Sequence, residues 1–113
     1  MKIKNCLMKE QPTYYFNVIC DDQVIAKCHM PTPLIQEELV LAYQDNKKSA
    51  IWKAYKMIEL LTEEWYFYDG DKPLPITIEN IDMLQSKFQD ALMVKISEKL
   101  NEWRENKEAI SKN

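Results

Sequence analysis

His29 stands beside Cys28, with Cys20 and Cys6 earlier in the chain. Thiolates and an imidazole are the ligand types of a zinc site, and a Cys–His pair is also the core of a thiol nucleophile. Neither chemistry suits this spacing. Neighbouring residues of a strand point to opposite faces, so Cys28 and His29 do not readily chelate one ion or share one proton. Asp69-Gly70-Asp71 resembles the opening of a calcium loop, but the later ligands and the closing glutamate of an EF-hand are missing, and Pro73 and Pro75 occupy that space. Glu63-Glu64 and the pair Asp69/Asp71 could pose as an acid and a base, yet nothing nearby would desolvate one of them. The sequence contains no Gly-x-Ser-x-Gly, no phosphate-cradling glycine loop and no His-Glu-x-x-His. The expectation is a protein without enzymatic activity, cofactor or metal. Trp65-Tyr66-Phe67-Tyr68 remains as the richest cluster of side chains. It reads either as core, with alternate rings packed inward, or as an anchor surface for a partner.

These residues need a frame. The 113 residues, 46% of them hydrophobic, suit one domain with a modest core. The formal charge is −3 and the basic residues are scattered, so no nucleic-acid-tracking surface is expected. No apolar run reaches the ~18 residues of a membrane span, and no apolar segment follows the basic start, so neither membrane nor signal peptide is expected. Three cysteines without Cys-x-x-Cys suit a reducing cytoplasm.

The periodicities predict an α+β fold: an N-terminal β-hairpin or small antiparallel sheet over 1–30, two helices over 31–68, a turn over 69–77 and a long helix over 78–110. Residues 1–8 read as a short edge strand. Tyr14–Cys20 and Val24–Met30 read as a hairpin across a three-residue loop. That register puts Tyr14, Phe16, Val18, Cys20, Val24, Ala26, Cys28 and Met30 on one apolar face; a two-residue loop would mix the faces. Thr32 and Pro33 start a helix ending near Gln44. The polar stretch 45–49 is either a break or a solvated helix surface. Ile51, Ala54, Tyr55, Ile58, Leu61 and Trp65 form the stripe of a second helix. Gly70 should adopt positive φ, Pro73 and Pro75 keep the chain extended, and Thr77 caps a third helix. Its stripe, Ile81, Leu84, Phe88, Leu92, Ile96, Leu100 and Trp103, runs without Gly or Pro. A single helix of about 45 Å is therefore expected, fraying from Glu108.

From Trp65 to Ile81 the residues Asp69-Gly70-Asp71-Lys72-Pro73-Leu74-Pro75-Ile76-Thr77-Ile78-Glu79-Asn80-Ile81 carry a pattern. A tryptophan is followed by an acidic-glycine turn, then by proline, an apolar residue and a Thr-x-Glu-Asn helix start. In this the chain resembles the small tail assembly chaperones of tailed bacteriophages, in outline over 14–95. The resemblance implies a protein of the infected bacterial cytoplasm that binds tape-measure and tail-tube proteins. A long unbroken third helix departs from a compact member of that group. It leaves room for another phage protein, such as a neck, capsid or tail accessory subunit of the virion. A small regulator blocking a host enzyme is a third reading, disfavoured by the mixed charges.

The candidate partner-binding residues are Trp65, Phe67, Ile96, Leu100 and Trp103. The last three lie toward the far end of the expected helix, where they either meet a partner, including a second copy of the chain, or are covered by residues 1–8 and the first helix. Gly70, Pro73, Pro75 and Thr77 are the candidate structural residues of the turn.

Overall fold

The computed structural model describes residues 1–111. It is an α+β fold in which a three-stranded antiparallel sheet is covered by helices, ending in a long C-terminal helix. Residues 1–7 form no strand; a single 3₁₀ turn, Met8–Glu10, leads into the sheet. The expected edge strand is therefore absent. Its place beside the hairpin is taken by a segment far along the chain.

Strands β1 (Tyr15–Cys20) and β2 (Gln23–His29) pair as a hairpin. Phe16 faces Cys28 and Val18 faces Ala26, as the three-residue loop requires, but Cys20 faces Gln23 and Ile19 faces Val24. The loop is thus two residues, Asp21-Asp22, and a bulge at Ile25 absorbs the difference. A two-residue loop in an unbroken register would mix the faces; the bulge resolves that conflict. It turns Ile25 into the core at 5% exposure and leaves Val24 at 43%.

Both loop residues lie in the left-handed region, Asp21 at φ 52 and Asp22 at φ 63, the form that a tight hairpin demands. Aspartate tolerates this conformation less well than glycine. Asp22→Gly should therefore raise stability by about 0.5–1 kcal/mol. A higher thermal midpoint checks this, and an unchanged or lower one would contradict it. Asp21 is left in place because its carboxylate meets the Lys87 ammonium at 2.7 Å.

Helix α1 spans Pro33–Gln44 and α2 spans Ala50–Leu61. Residues 45–49 are a true break. The Ser49 hydroxyl caps α2 by accepting from the Trp52 N–H at 3.1 Å, and Asp45 accepts from the Lys47 N–H at 3.0 Å. The second helix does not extend to Trp65. Thr62–Trp65 is strand β3, paired antiparallel to the central strand β2 with Ala26 opposite Trp65 and Cys28 opposite Thr62. A minimal hairpin follows, β4 (Tyr68–Asp69) with β5 (Lys72–Pro73), turning at Gly70.

The expected single long helix is two. Helix α3 covers Ile78–Met83, Leu84 is extended at φ −67 and ψ 152, and α4 runs Ser86–Ser111. The break contains no Gly or Pro. It is held by Gln89, whose side-chain amide donates to the carbonyls of Ile81 at 2.9 Å and Asp82 at 3.1 Å, groups a continuous helix would have paired. The tail was expected to fray from Glu108; α4 continues to Ser111, and Lys112 and Asn113 lie outside the described residues.

The core lies between the inner face of the sheet and the helices. Val18, Ala26 and Cys28 from the sheet meet Ile58 and Leu61 of α2, Ile81 of α3, and Leu92, Ile96 and Leu100 of α4. Among the described residues no helix is long and apolar enough to cross a membrane.

Candidate partner-binding groove

The residues singled out for chemistry do not converge. Cys28 is buried, its Sγ 3.7 Å from the Thr62 hydroxyl. Burial pushes its thiol up to about 11, with the Thr62 contact offsetting a little. His29 projects from the same strand, stacks on Tyr14 at 5.6 Å and places Nδ1 2.8 Å from the Met30 carbonyl. Cys6 is exposed, and Cys20 contacts the Lys87 carbonyl. Among the described residues no three His, Cys, Asp or Glu side chains are grouped to hold a metal ion. A thiol reagent should thus modify Cys6 in the folded protein and reach Cys28 only on unfolding. Mass mapping of the labelled cysteines checks this, and rapid native labelling of Cys28 would contradict it.

The aromatic run alternates as an extended chain should. Trp65 is 7% exposed and half-buried Phe67 packs edge-on against it, whereas Tyr66 and Tyr68 face solvent. Phe67 also contacts the Phe88 ring at 5.0 Å. The Trp65 indole N–H donates to the Leu74 carbonyl at 2.6 Å, tying the strand to the extended connection. Thr77 accepts from the Asn80 N–H at 3.1 Å, and the Asn80 side chain donates to the Pro75 carbonyl at 2.9 Å. The segment that carries the resemblance is therefore a set of internal fastenings.

Gly70 has φ 62, and a Cβ built on it would meet nothing within 4 Å. Gly70→Val should cost more than about 1 kcal/mol through backbone strain alone. Gly70→Asn should cost less. Equal thermal midpoints for wild type and Gly70→Val would contradict this.

The C-terminal stripe is interior as well. Ile96 is fully buried, Leu100 is 4% exposed, and half-buried Trp103 packs against the core. The stripe is not left open, because α2 and the sheet pack against α4. Of the five residues expected to bind a partner, Leu100 lines the groove between the helices.

That groove, of about 660 Å³, lies between α1, α2 and α4. Its floor is Leu39, Met57 and Leu100; Val40 and Tyr43 stand on the α1 rim. Ala42, Ala50 and Ala54 explain why it exists, since three small side chains on facing helices leave the space unfilled. Among the described residues its charged lining side chains are Lys53 and Arg104, both cationic. The Lys53 ammonium donates to the Tyr43 carbonyl at 2.8 Å, closing the C-terminal end of α1, and lies 5.5 Å from the Tyr43 ring. The groove is thus apolar within and positive at its edge. Val40, Tyr43 and Met57 were not among the site residues expected from the sequence, and Ala54 was read only as part of the α2 stripe. The available signal was the apolar residues of α1 that fall off its buried stripe, together with alanines at facing positions.

Compared with protein families, with curated proteins and with solved structures, the chain matches none.

Proposed function

We propose that this protein is a non-enzymatic assembly protein that holds an apolar helical segment of an extended protein partner in the groove between α1, α2 and α4. The groove carries the reading. An apolar channel walled by helices is the receptor half of helix-in-groove recognition, in which a ligand helix inserts side chains at i, i+3/i+4 and i+7. Lys53 and Arg104 at its edge favour a segment with acidic residues flanking the apolar stripe. The pattern of Trp65–Ile81 supports placing the protein among those resembling phage tail assembly chaperones. On that reading the partner is a tape-measure or tail-tube protein, bound in the host cytoplasm.

Co-expression with the tape-measure protein of the same genome tests this. The expected result is a soluble complex that co-purifies, and a protein missing from mature particles by mass spectrometry. A partner that stays insoluble and is not retained would overturn the chaperone reading. Many copies in the mature particle would move the protein to the virion as a neck, capsid or tail accessory subunit.

A further inference from the structure

Strand β1 lies at the end of the sheet, whose strand order is β1-β2-β3. Its outer edge has no neighbouring strand among the described residues, and residues 1–7, the segment expected as an edge strand, form none. The hairpin fixes the direction of its backbone groups. The Met30 N–H donates to the Tyr14 carbonyl at 2.8 Å, so the even-numbered residues of β1 turn their N–H and C=O groups toward β2. Tyr15, Asn17 and Ile19 therefore turn theirs outward. Sheets usually guard such an edge with charge, proline or a covering segment. The opposite edge is guarded: two of the four residues of β3 are exposed glutamates, Glu63 and Glu64. The six residues of β1 carry no charge and no proline. Asn17 is exposed, and Ile19 is 61% exposed on the sheet face away from the helices.

We infer that β1 pairs with β1 of a second copy, antiparallel about a twofold axis at Asn17, joining the two sheets into one. A twofold contact must be self-complementary, and the backbone supplies this: each outward N–H meets an outward C=O of the other copy. The register follows from the residues. Outward groups pair only with outward groups, so Asn17 faces Asn17, and Tyr15 faces Ile19 of the second copy. A shift of two residues sets Tyr15 against Asp21 or Ile19 against Thr13, both beyond the strand. The Asn17 register keeps all three outward residues paired, giving about six hydrogen bonds. It also brings exposed Ile19 beside Tyr15 of the second copy, an aromatic and β-branched pair. Lys27 meets the Tyr15 ring at 4.2 Å from β2, the side away from the edge. No like charges meet, since Asp21, which holds Lys87 at 2.7 Å, falls opposite Thr13. The strand is about 20 Å long, so the contact is small and the dimer is concentration-dependent. Backbone bonds rather than ion pairs make the contact, so salt should change it little. This inference stands independently of the groove, which is lined by α1, α2 and α4.

Sedimentation velocity of the full chain over a concentration series tests it, paired with amide hydrogen exchange read by NMR. Wild type should pass from one-chain to two-chain mass, and the Tyr15, Asn17 and Ile19 amides should become protected only at the dimer's concentrations. Asn17→Pro removes an outward N–H that the hairpin does not use, and Ile19→Lys places a charge at the edge. Both should stay monomeric, with circular dichroism matching wild type. Ile51→Lys alters an equally exposed residue of α2, 63% exposed, and should dimerise as wild type does. Wild type that stays monomeric throughout would overturn the inference, as would a dimer that survives both edge variants. Protection of the three amides already at dilution would mean that the chain covers its own edge, and would equally overturn it. Protection only when the tape-measure protein is bound would assign the edge to that partner, with the same consequence. Failure of co-expression leaves these masses unchanged, so the two proposals fail separately.

Discussion

Ile96→Asp should leave the protein without a cooperative folded state. Ile96 is fully buried in the middle of the core cluster, among side chains from the sheet, α2 and α4. A carboxylate there either remains charged without a partner or takes up a proton, and both outcomes add to the lost apolar packing. The expected loss is about 4 kcal/mol or more. Against the roughly 5–15 kcal/mol that holds a domain of this size, that removes most or all of the folded population. Thermal unfolding by circular dichroism reads the effect. Val94→Asp is the control: Val94 lies two residues away on the same helix and is 66% exposed, so its change should be small. If Ile96→Asp folds with a near-normal midpoint, Ile96 belongs to a surface, as its inclusion among partner-binding candidates had assumed.

Trp65→Ala should cost about 3–5 kcal/mol. Three contributions are lost together. The ring is 7% exposed and fills space between β3 and the core. It packs edge-on against Phe67 with centroids 5.2 Å apart. Its N–H satisfies the Leu74 carbonyl at 2.6 Å. Trp65→Phe separates these, since it keeps much of the ring packing and removes the donor. About 1–2 kcal/mol of loss is expected for it. Denaturant unfolding of the two variants gives the partition. A loss under 1 kcal/mol for Trp65→Ala would contradict the placement of Trp65 in the interior.

Local features of the fold were legible wherever one residue fixes one backbone angle. Pro31-Thr32-Pro33 sets the start of α1, and Thr77 sets the start of α3. The hairpin pairing of Phe16 with Cys28 and of Val18 with Ala26 follows from the even-numbered apolar face. What failed depends on distant contacts. Leu61 and Trp65 are spaced for a helix, but Thr62–Trp65 gains its hydrogen bonds from β2. Periodicity cannot express that preference in so short a segment. The break at Leu84 is equally silent, because its support is a glutamine side chain, Gln89, reaching backward, and glutamine is also a good helix residue. The Ile25 bulge arises from a compromise between loop and core, and neither alone predicts it.

The site was less legible than the fold. Trp65, Ile96 and Leu100 were singled out as large apolar residues in rows, and such residues are what a core is made from. The groove is defined by the opposite property, small residues that face one another. Ala42, Ala50 and Ala54 become a feature only once α1, α2 and α4 are brought together.

The groove can be tested apart from stability, because Tyr43 on its rim is 76% exposed and Ala54 in its lining is only half-buried. A Tyr43→Ala/Ala54→Glu double variant should fold normally while placing a negative charge inside the apolar channel. The decisive measurement is retention of the co-expressed tape-measure protein by wild type and by this variant, at equal protein levels and with matching circular dichroism. The groove reading predicts that wild type retains the partner and the folded variant does not. Equal retention by both would contradict it.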